Sequence, residues 1–325
     1  MADTLPVLYL APMAGVADSA FRRLCKRGGA DVTVSEMISA KAVCFGDKKT
    51  FSLAGFDPAE RPFWLQIFGS EPRLMAQAAQ ELCQRFSPDG LDINMGCPVG
   101  KIVKNKEGSA LMSDPGLVYE ITARVREAVE VPVSVKIRAG RTPASRNAVE
   151  VALAAQKAGA SAVTVHGKTA SQLYAPPVDR QIIAQVKEAL GKDFLVIANG
   201  EITDGPSAKQ MMEQTGCHHL MIGRAALGRP WIFDEIRAYL EGRPFTPPQD
   251  LRHWIGLHLR WCCENKGEEI AVREMRKHVA AYLKGFPGAP ALRDTVNRAI
   301  TLEEMQRIVE RIMPPFLEEK GAPKD

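Results

Sequence analysis

Two short apolar runs in this sequence end in residues suited to an anion. The run at 194–198 is followed by Asn199, Gly200 and Glu201, and the run at 219–222 by Gly223 and Arg224. Glycine lets backbone amides approach a phosphate closely, and an arginine beside them can pair with it. Tight turns that need glycine for their own geometry give the same pattern, so the signal has moderate specificity. Gln66 lies inside a third run and Lys136 inside a fourth. A glutamine amide can hydrogen-bond the edge of a planar heterocycle, and a lysine can set positive charge beside it. A phosphorylated ligand held this way is either substrate or cofactor. A reduced flavin is anionic along one edge of its ring, so FMN fits the lysine.

These residues must be positioned by the runs that carry them. Eight runs of strand length recur along the chain, at 7–11, 32–35, 63–68, 91–95, 133–137, 162–165, 194–198 and 219–222. Most are rich in β-branched residues, and their continuous apolar character suits parallel strands covered on both faces. Helical patterns lie between them. One spans 71–85 with Ser70 as N-cap, and another spans 115–129 with Asp114 as N-cap. Three more span 147–158, 178–190 and 206–214, and end at or near Gly159, Gly191 and Gly216. Strand and helix alternating to eight predict an α/β fold, a (β/α)8 TIM barrel, over residues 1–243. The rival is a doubly wound open sheet, but the first run ends in Ala11-Pro12-Met13-Ala14-Gly15 and not in G-x-G-x-x-G.

In such a barrel the active site gathers at the C-terminal ends of the strands. In chain order those ends supply Pro12, Met13 and Ala14; Glu36; Gln66; Asn94 and Cys97; Lys136 and Arg138; His166 and Lys168; Asn199, Gly200 and Glu201; Gly223 and Arg224. Any one of them alone is more often structural. Polar groups in or on apolar strands are costly unless paired, so their convergence on one rim indicates a binding site.

Past Arg243 the texture changes. Residues 244–248 read Pro-Phe-Thr-Pro-Pro, a linker. Helical patterns follow at 251–264, 269–283 and 301–312, the last opened by a Thr301–Glu304 capping box, with a turn at 286–290. Residues 244–325 are therefore expected to form a small C-terminal all-α domain. From 273 to 298 this segment carries Arg273, Arg276, Lys277, Lys284, Arg293 and Arg298 against Glu274 and Asp294. The whole chain of 325 residues has a formal charge of +4, so any surface for nucleic acid must be local, as this one is.

The composition, 46% hydrophobic and 25% charged, excludes a mainly disordered, collagenous or membrane-embedded chain. Seven cysteines, an odd number with no C-x-x-C pair, argue against a disulfide framework, a zinc ribbon or an iron–sulfur site, and suit the reducing cytoplasm. Cys25, Cys44, Cys83 and Cys217 read as buried structural cysteines. The apolar stretch 5–17 has no basic residues before it and is broken by Pro6 and Pro12, unlike a signal peptide. No run approaches the roughly 18 apolar residues of a membrane span.

The motifs on these strands resemble the tRNA-dihydrouridine synthases over nearly the whole chain. The resemblance rests on residues 11–16 with Asp18, Phe21 and Arg22, on 33–37 and 66–69, and above all on Asp92-Ile93-Asn94-Met95-Gly96-Cys97-Pro98. It continues through 101–105, 108–111, 135–138, 165–167, Asn199-Gly200, 223–226 and 228–233, and the tail at 273–278 with Tyr282 is similar to the bacterial B-type subgroup. Three features depart from the family pattern. Lys168 stands where arginine is usual, Glu201 where aspartate is usual, and the loop at 175–179 differs and contains Pro176-Pro177.

The resemblance implies an FMN-dependent oxidoreductase that draws on NADPH and reduces the C5=C6 bond of uridines in tRNA. Hydride would pass to C6, and Cys97 would be the acid that delivers a proton to C5. A free thiol, with a pKa of about 8.5, is mostly protonated near neutrality. It further implies that Pro12, Met13, Ala14, Gln66, Lys136, His166, Asn199, Gly200, Glu201, Gly223 and Arg224 hold the cofactor. Asn94 and Arg138 would contact the uridine, and Arg276, Lys277 and His278 the RNA. The expected enzyme is a cytoplasmic monomer with no membrane partner and no metal. The alternatives are a flavin barrel reductase of a free small molecule, of the dihydroorotate dehydrogenase type, and an RNA-binding protein without turnover.

Overall fold

The computed structural model describes residues 5–285 and 288–312. Eight parallel strands close in sequence order into a barrel: β1 (Leu8–Leu10), β2 (Val32–Ser39), β3 (Phe63–Phe68), β4 (Gly90–Asn94), β5 (Val133–Gly140), β6 (Ala162–Thr169), β7 (Leu195–Asn199) and β8 (His219–Ile222). β1 pairs with β8 to complete the ring. The (β/α)8 expectation therefore holds. The apolar runs form strands because their side chains are buried on both sides. Inward residues such as Tyr9, Val34, Ala162, Ile197 and Met221 fill the bore. Outward ones such as Leu8, Leu65, Ile93, Val135 and Val163 meet the surrounding helices.

Three strands run beyond their apolar stretches. β2, β5 and β6 extend to Ser39, Gly140 and Thr169, and carry Glu36, Arg138 and Lys168 within the strand. The helix expected at 71–85 is Pro72–Phe86. Its N-cap is Glu71 and not Ser70, whose hydroxyl instead donates to the Asn105 carbonyl at 3.3 Å. The expected caps Asp114 and Thr301 hold, each accepting from a backbone amide of the first turn.

The helical segment packs on the barrel against helix Ser19–Arg27, which follows β1. Helices Leu251–Lys266, Glu268–Tyr282, Ala289–Arg298 and Leu302–Glu310 share an apolar cluster that includes Ala20 and Trp231 from the barrel. Residues 286–287 of the expected turn, and 313–325 at the end of the expected domain, lie outside the described residues. Gly228 permits the contact between the two parts: it has φ +73°, and a Cβ there would lie 2.4 Å from the Ala281 carbonyl oxygen. Asp18, the N-cap of helix Ser19–Arg27, accepts from Lys266 Nζ at 2.7 Å across the same boundary. Burial alone would raise the Asp18 pKa, but the Lys266 ammonium outweighs it and holds the carboxyl at about 2. His258 and His278 are buried here against Phe21. Among the described residues, no helix is long and apolar enough to cross a membrane.

Candidate active site

Alternate residues of a strand share a face. Asp92 and Asn94 on β4, with Gln66 on β3 and Ser134 on β5, therefore meet inside the bore. Asp92 Oδ1 accepts from the Ser134 hydroxyl at 2.5 Å, and Oδ2 accepts from Gln66 Nε2 at 2.6 Å. Gln66 Oε1 accepts from Asn94 Nδ2 at 2.9 Å. Asn94 Oδ1 then accepts the backbone amides of Gly96 and Cys97, at 3.2 and 2.9 Å. The internal cavity bordered by Asp92, Ser134, Thr164 and Tyr9 is about 10 Å3, room for one water at most, so bulk solvent does not screen the carboxylate. Burial raises Asp92 to about 6, against the opposing effects of Gln66, Ser134 and Lys136.

The turn after β4 is pinned from its other side as well. The Cys97 carbonyl accepts the Ser109 amide at 2.9 Å. Gly108 has φ +59°, and a Cβ on it would lie 2.7 Å from that carbonyl oxygen. The half-buried Cys97 is thus carried on a rigid turn.

Positive charge converges opposite. Lys136 Nζ donates to Asn199 Oδ1 at 3.2 Å, and Asn199 Nδ2 donates to the Met221 carbonyl at 2.7 Å, which fixes the orientation of the amide. Burial lowers Lys136 to about 8, with repulsion from Arg138 adding to it and Asp92 and Cys97 opposing. His166 falls to about 2 through burial and then the surrounding Lys136, Arg138, Lys168 and Arg224. It is a neutral imidazole at physiological pH, a hydrogen-bonding group and not a charge.

Arg138 is 4% exposed and spent on the backbone. Its Nε donates to the Gly96 carbonyl at 2.7 Å, and its Nη1 to the carbonyls of Thr169 and Leu173 at 3.0 and 2.8 Å. It ties the Cys97 turn to the loop after β6. Lys168 Nζ holds that loop at the Tyr174 carbonyl, 3.0 Å away, and meets Glu201 Oε1 at 2.6 Å. The other oxygen of Glu201 accepts the Val178 amide at 3.0 Å. At the loop's tip the exposed Tyr174 ring lies 4.6 Å from the Arg224 guanidinium and 5.8 Å from that of Arg138, within cation–π reach.

Most of the expected site therefore lies on one mouth. Pro12, Met13 and Ala14 follow β1, and a Cβ on Gly223 would come within van der Waals range of Ala11 and Met13. Gln66 and Asn94 are brought there too, but their amides face one another and the turn. Lys277 reaches the rim, where its ammonium donates to the Gly15 carbonyl. Arg276 does not: both of its contacting nitrogens donate to the Ala299 carbonyl inside the helical segment. His278, expected to face RNA, is 1% exposed and packed against Phe21, a correction forced by the apolar packing between the two parts. Arg273 and Arg298 form exposed ion pairs one helical turn apart, with Glu269 and Asp294. Cys25 and Cys217 are buried as expected, whereas Cys44 and Cys83 are half-buried. Asp18, His258 and Cys262 bring ligand-type atoms within 4.8 Å of one another, though the Lys266 ammonium already occupies the Asp18 carboxylate.

Asp92 and Tyr174 were not among the sequence-predicted site residues. Asp92 had a signal, a carboxylate in an otherwise apolar strand. Tyr174 had none beyond an aromatic residue beside Pro176-Pro177.

A family model described as "Dihydrouridine synthase (Dus)" matches residues 9–316. A protein named tRNA-dihydrouridine synthase B from Pseudomonas aeruginosa is 43% identical over 304 residues, covering 91% of this chain and 89% of its own length. Another of that name from Xanthomonas campestris pv. campestris is 42% identical over 305 residues, covering 92% and 90%. Among solved structures, histamine dehydrogenase from Rhizobium sp. 4-9 aligns with a TM-score of 0.57 at 12% identity, over 78% of this chain and 48% of that one, a likeness of fold.

Proposed function

The chain belongs to the dihydrouridine synthase family, and from that premise we propose that it is a flavin-dependent oxidoreductase that forms dihydrouridine in tRNA. The observation that carries this reading is the Cys97 turn. It is braced from both sides, by Asn94 and by Ser109, and Arg138 holds the Gly96 carbonyl beside it at the barrel mouth.

The residues at the mouth fit FMN by their chemistry. Lys136 offers a cation for the anionic edge of the ring, and neutral His166 offers hydrogen bonds without further charge. Gly200, Gly223 and Arg224 are suited to the phosphate. When bound, the flavin would supply hydride for C6 of the uracil, with NADPH as the reductant. Cys97 holds a proton at Sγ and passes it to C5, and the thiolate left behind is reprotonated from solvent. Arg138 fixes the thiol against the β6 loop. The target base lies within folded RNA and must be turned out to reach the mouth. Lys277, beside Gly15 at the rim, would meet a phosphate there, an attraction that falls with salt. A tRNA substrate and seven free thiols support a cytoplasmic location.

Purified protein tests this directly. It should be yellow, bleach anaerobically with NADPH, and restore dihydrouridine to tRNA taken from a strain lacking the protein. Cys97→Ala should keep the colour and the bleaching while product formation is lost. Protein that stays colourless after incubation with FMN, or a Cys97→Ala variant with full activity, refutes the reading.

A further inference from the structure

We infer that Asp92 is a positioning residue that acts through Gln66 and Asn94 to hold the Cys97 turn in its working orientation. The inference deepens the proposed function and rests on it for the identity of the reaction. The geometry is directional. A carboxylate at Asp92 can only accept, so Gln66 must present Nε2 to it. Gln66 then offers Oε1 to Asn94, which must answer with Nδ2. That leaves Asn94 Oδ1 for the amides of Gly96 and Cys97, which can only donate. Reversing either amide would set an N–H against the backbone N–H groups of the turn and leave them without an acceptor, a costly outcome for partly buried donors. The charge at one end of the chain thus enforces the acceptor at the other end, two side chains away.

The same carboxylate is otherwise hard to justify. It lies 3% exposed in the middle layer of the bore, where an apolar residue would pack without a desolvation penalty. Its second oxygen is closed off by Ser134. Its only hydrogen-bonded side chains are Gln66 and Ser134, so apart from its electrostatic pull on Lys136 its effect on chemistry passes through those neighbours. Protonation removes the enforcement, because a carboxylic acid can accept a hydrogen bond or donate one.

Other titratable and charged groups face this region from the adjoining strands: Tyr9 on β1, Glu36 on β2, Lys136 and Arg138 on β5, and His166 and Lys168 on β6. Glu36 is turned toward the Gly15 amide. Lys136 changes charge near 8 and His166 near 2, both away from the midpoint expected for Asp92. A variant at Asp92 separates its titration from that of Glu36.

The experiment follows the backbone amide of Cys97 by NMR in full-length protein, as purified, with labelled cysteine. Seven amide signals are expected from the seven cysteines, and Cys97→Ala identifies one of them. In the wild type the Cys97 signal should move with pH around a midpoint near 6, and Asp92→Asn should abolish that step. On tRNA, Asp92→Asn should lower kcat roughly tenfold, the size of one displaced hydrogen bond, with KM for tRNA unchanged and Asp92→Glu recovering part of the loss. A Cys97 signal that does not titrate, a step that persists in Asp92→Asn, or an unaltered kcat overturns the inference. The wild-type titration needs no variant to fold and no RNA. If that step is present but the protein makes no dihydrouridine, the functional reading fails and the relay stands.

Discussion

Lys168 Nζ lies 2.6 Å from Oε1 of Glu201, with the lysine side chain 1% exposed and the glutamate 30% exposed. These are two positions at which the sequence departs from the family pattern, and they face each other. A lysine shorter in reach than arginine is met by a glutamate one methylene longer than aspartate. The pair closes both ends of the β6 loop, through the Tyr174 carbonyl and the Val178 amide.

Glu201→Asp should therefore break the pair and leave a buried ammonium poorly matched. The cost expected is about 2 kcal/mol, below the range for a fully buried pair because the glutamate is partly solvated. Lys168→Arg combined with Glu201→Asp should recover most of it, and a double-mutant cycle on thermal unfolding measures the coupling. Burial acts to raise the Glu201 pKa, but Lys168 and the Val178 amide outweigh it and leave it lowered. Its stabilising share is present above the unfolded value of about 4.3 and is lost as pH falls through the folded value. Glu201→Gln should remove that acid-sensitive step from the melting profile.

Arg138 joins the Cys97 turn to the same loop. Arg138→Lys keeps one charge but cannot span Gly96, Thr169 and Leu173 together, because an ammonium lacks the planar fork. Each lost charge-assisted hydrogen bond is worth about 1.5–3 kcal/mol, so a tenfold to hundredfold fall in kcat is expected. Proteolysis at residues 170–178 should accelerate in parallel. Equal proteolysis rates in variant and wild type would separate Arg138 from the loop.

How much of this was legible in the sequence follows from the physics of each element. The eight strands could be read because parallel strands buried on both faces leave continuous apolar runs. Their true ends could not, since Glu36, Arg138 and Lys168 interrupt those runs while remaining in the strand. Helix Ser19–Arg27 escaped the periodicity because Arg22 sits on its buried face, neutralised by Glu60 at 2.5 Å, a partner 38 residues away. Charge counting named the tail cations but not their directions. Arg276 turns inward to a carbonyl and Lys277, its neighbour, reaches the rim. The mouth residues could be read because each lies in the later part of a strand or directly after it. Tyr174 was missed because an irregular loop has no period to read.

Lys136 makes ligand affinity depend on pH. With its pKa lowered to about 8, the ammonium is largely present at pH 7 and largely lost by pH 9. An anionic ring edge or phosphate bound beside it favours the charged form and draws a proton in on binding. FMN affinity should thus weaken as pH rises through 8 and level off once the bound-state value is passed. Fluorescence titrations between pH 6 and 10 measure this, and Lys136→Met should bind more weakly with no such slope. A slope that survives the substitution would assign the proton to another group.

Asp92 makes the opposite demand on stability. Its folded value of about 6 lies above the unfolded value of about 3.9, so the folded chain holds this proton over a range where the unfolded chain has released it. Stability therefore declines as pH rises from about 4 to about 6 and stays lower above that. Two pKa units correspond to about 3 kcal/mol, an upper bound, since the hydrogen bonds from Gln66 and Ser134 are strongest to the ionised form. Asp92→Asn, which keeps the shape and can still bond both neighbours, should match the wild type below pH 4 and exceed its stability at pH 7. Denaturant titrations at the two pH values measure the difference. A variant less stable than the wild type at pH 7, with the gap closing in acid, would mean that the carboxylate supports the barrel. A variant more stable yet slower on tRNA would mark a charge that costs the fold stability and acts on the Cys97 turn.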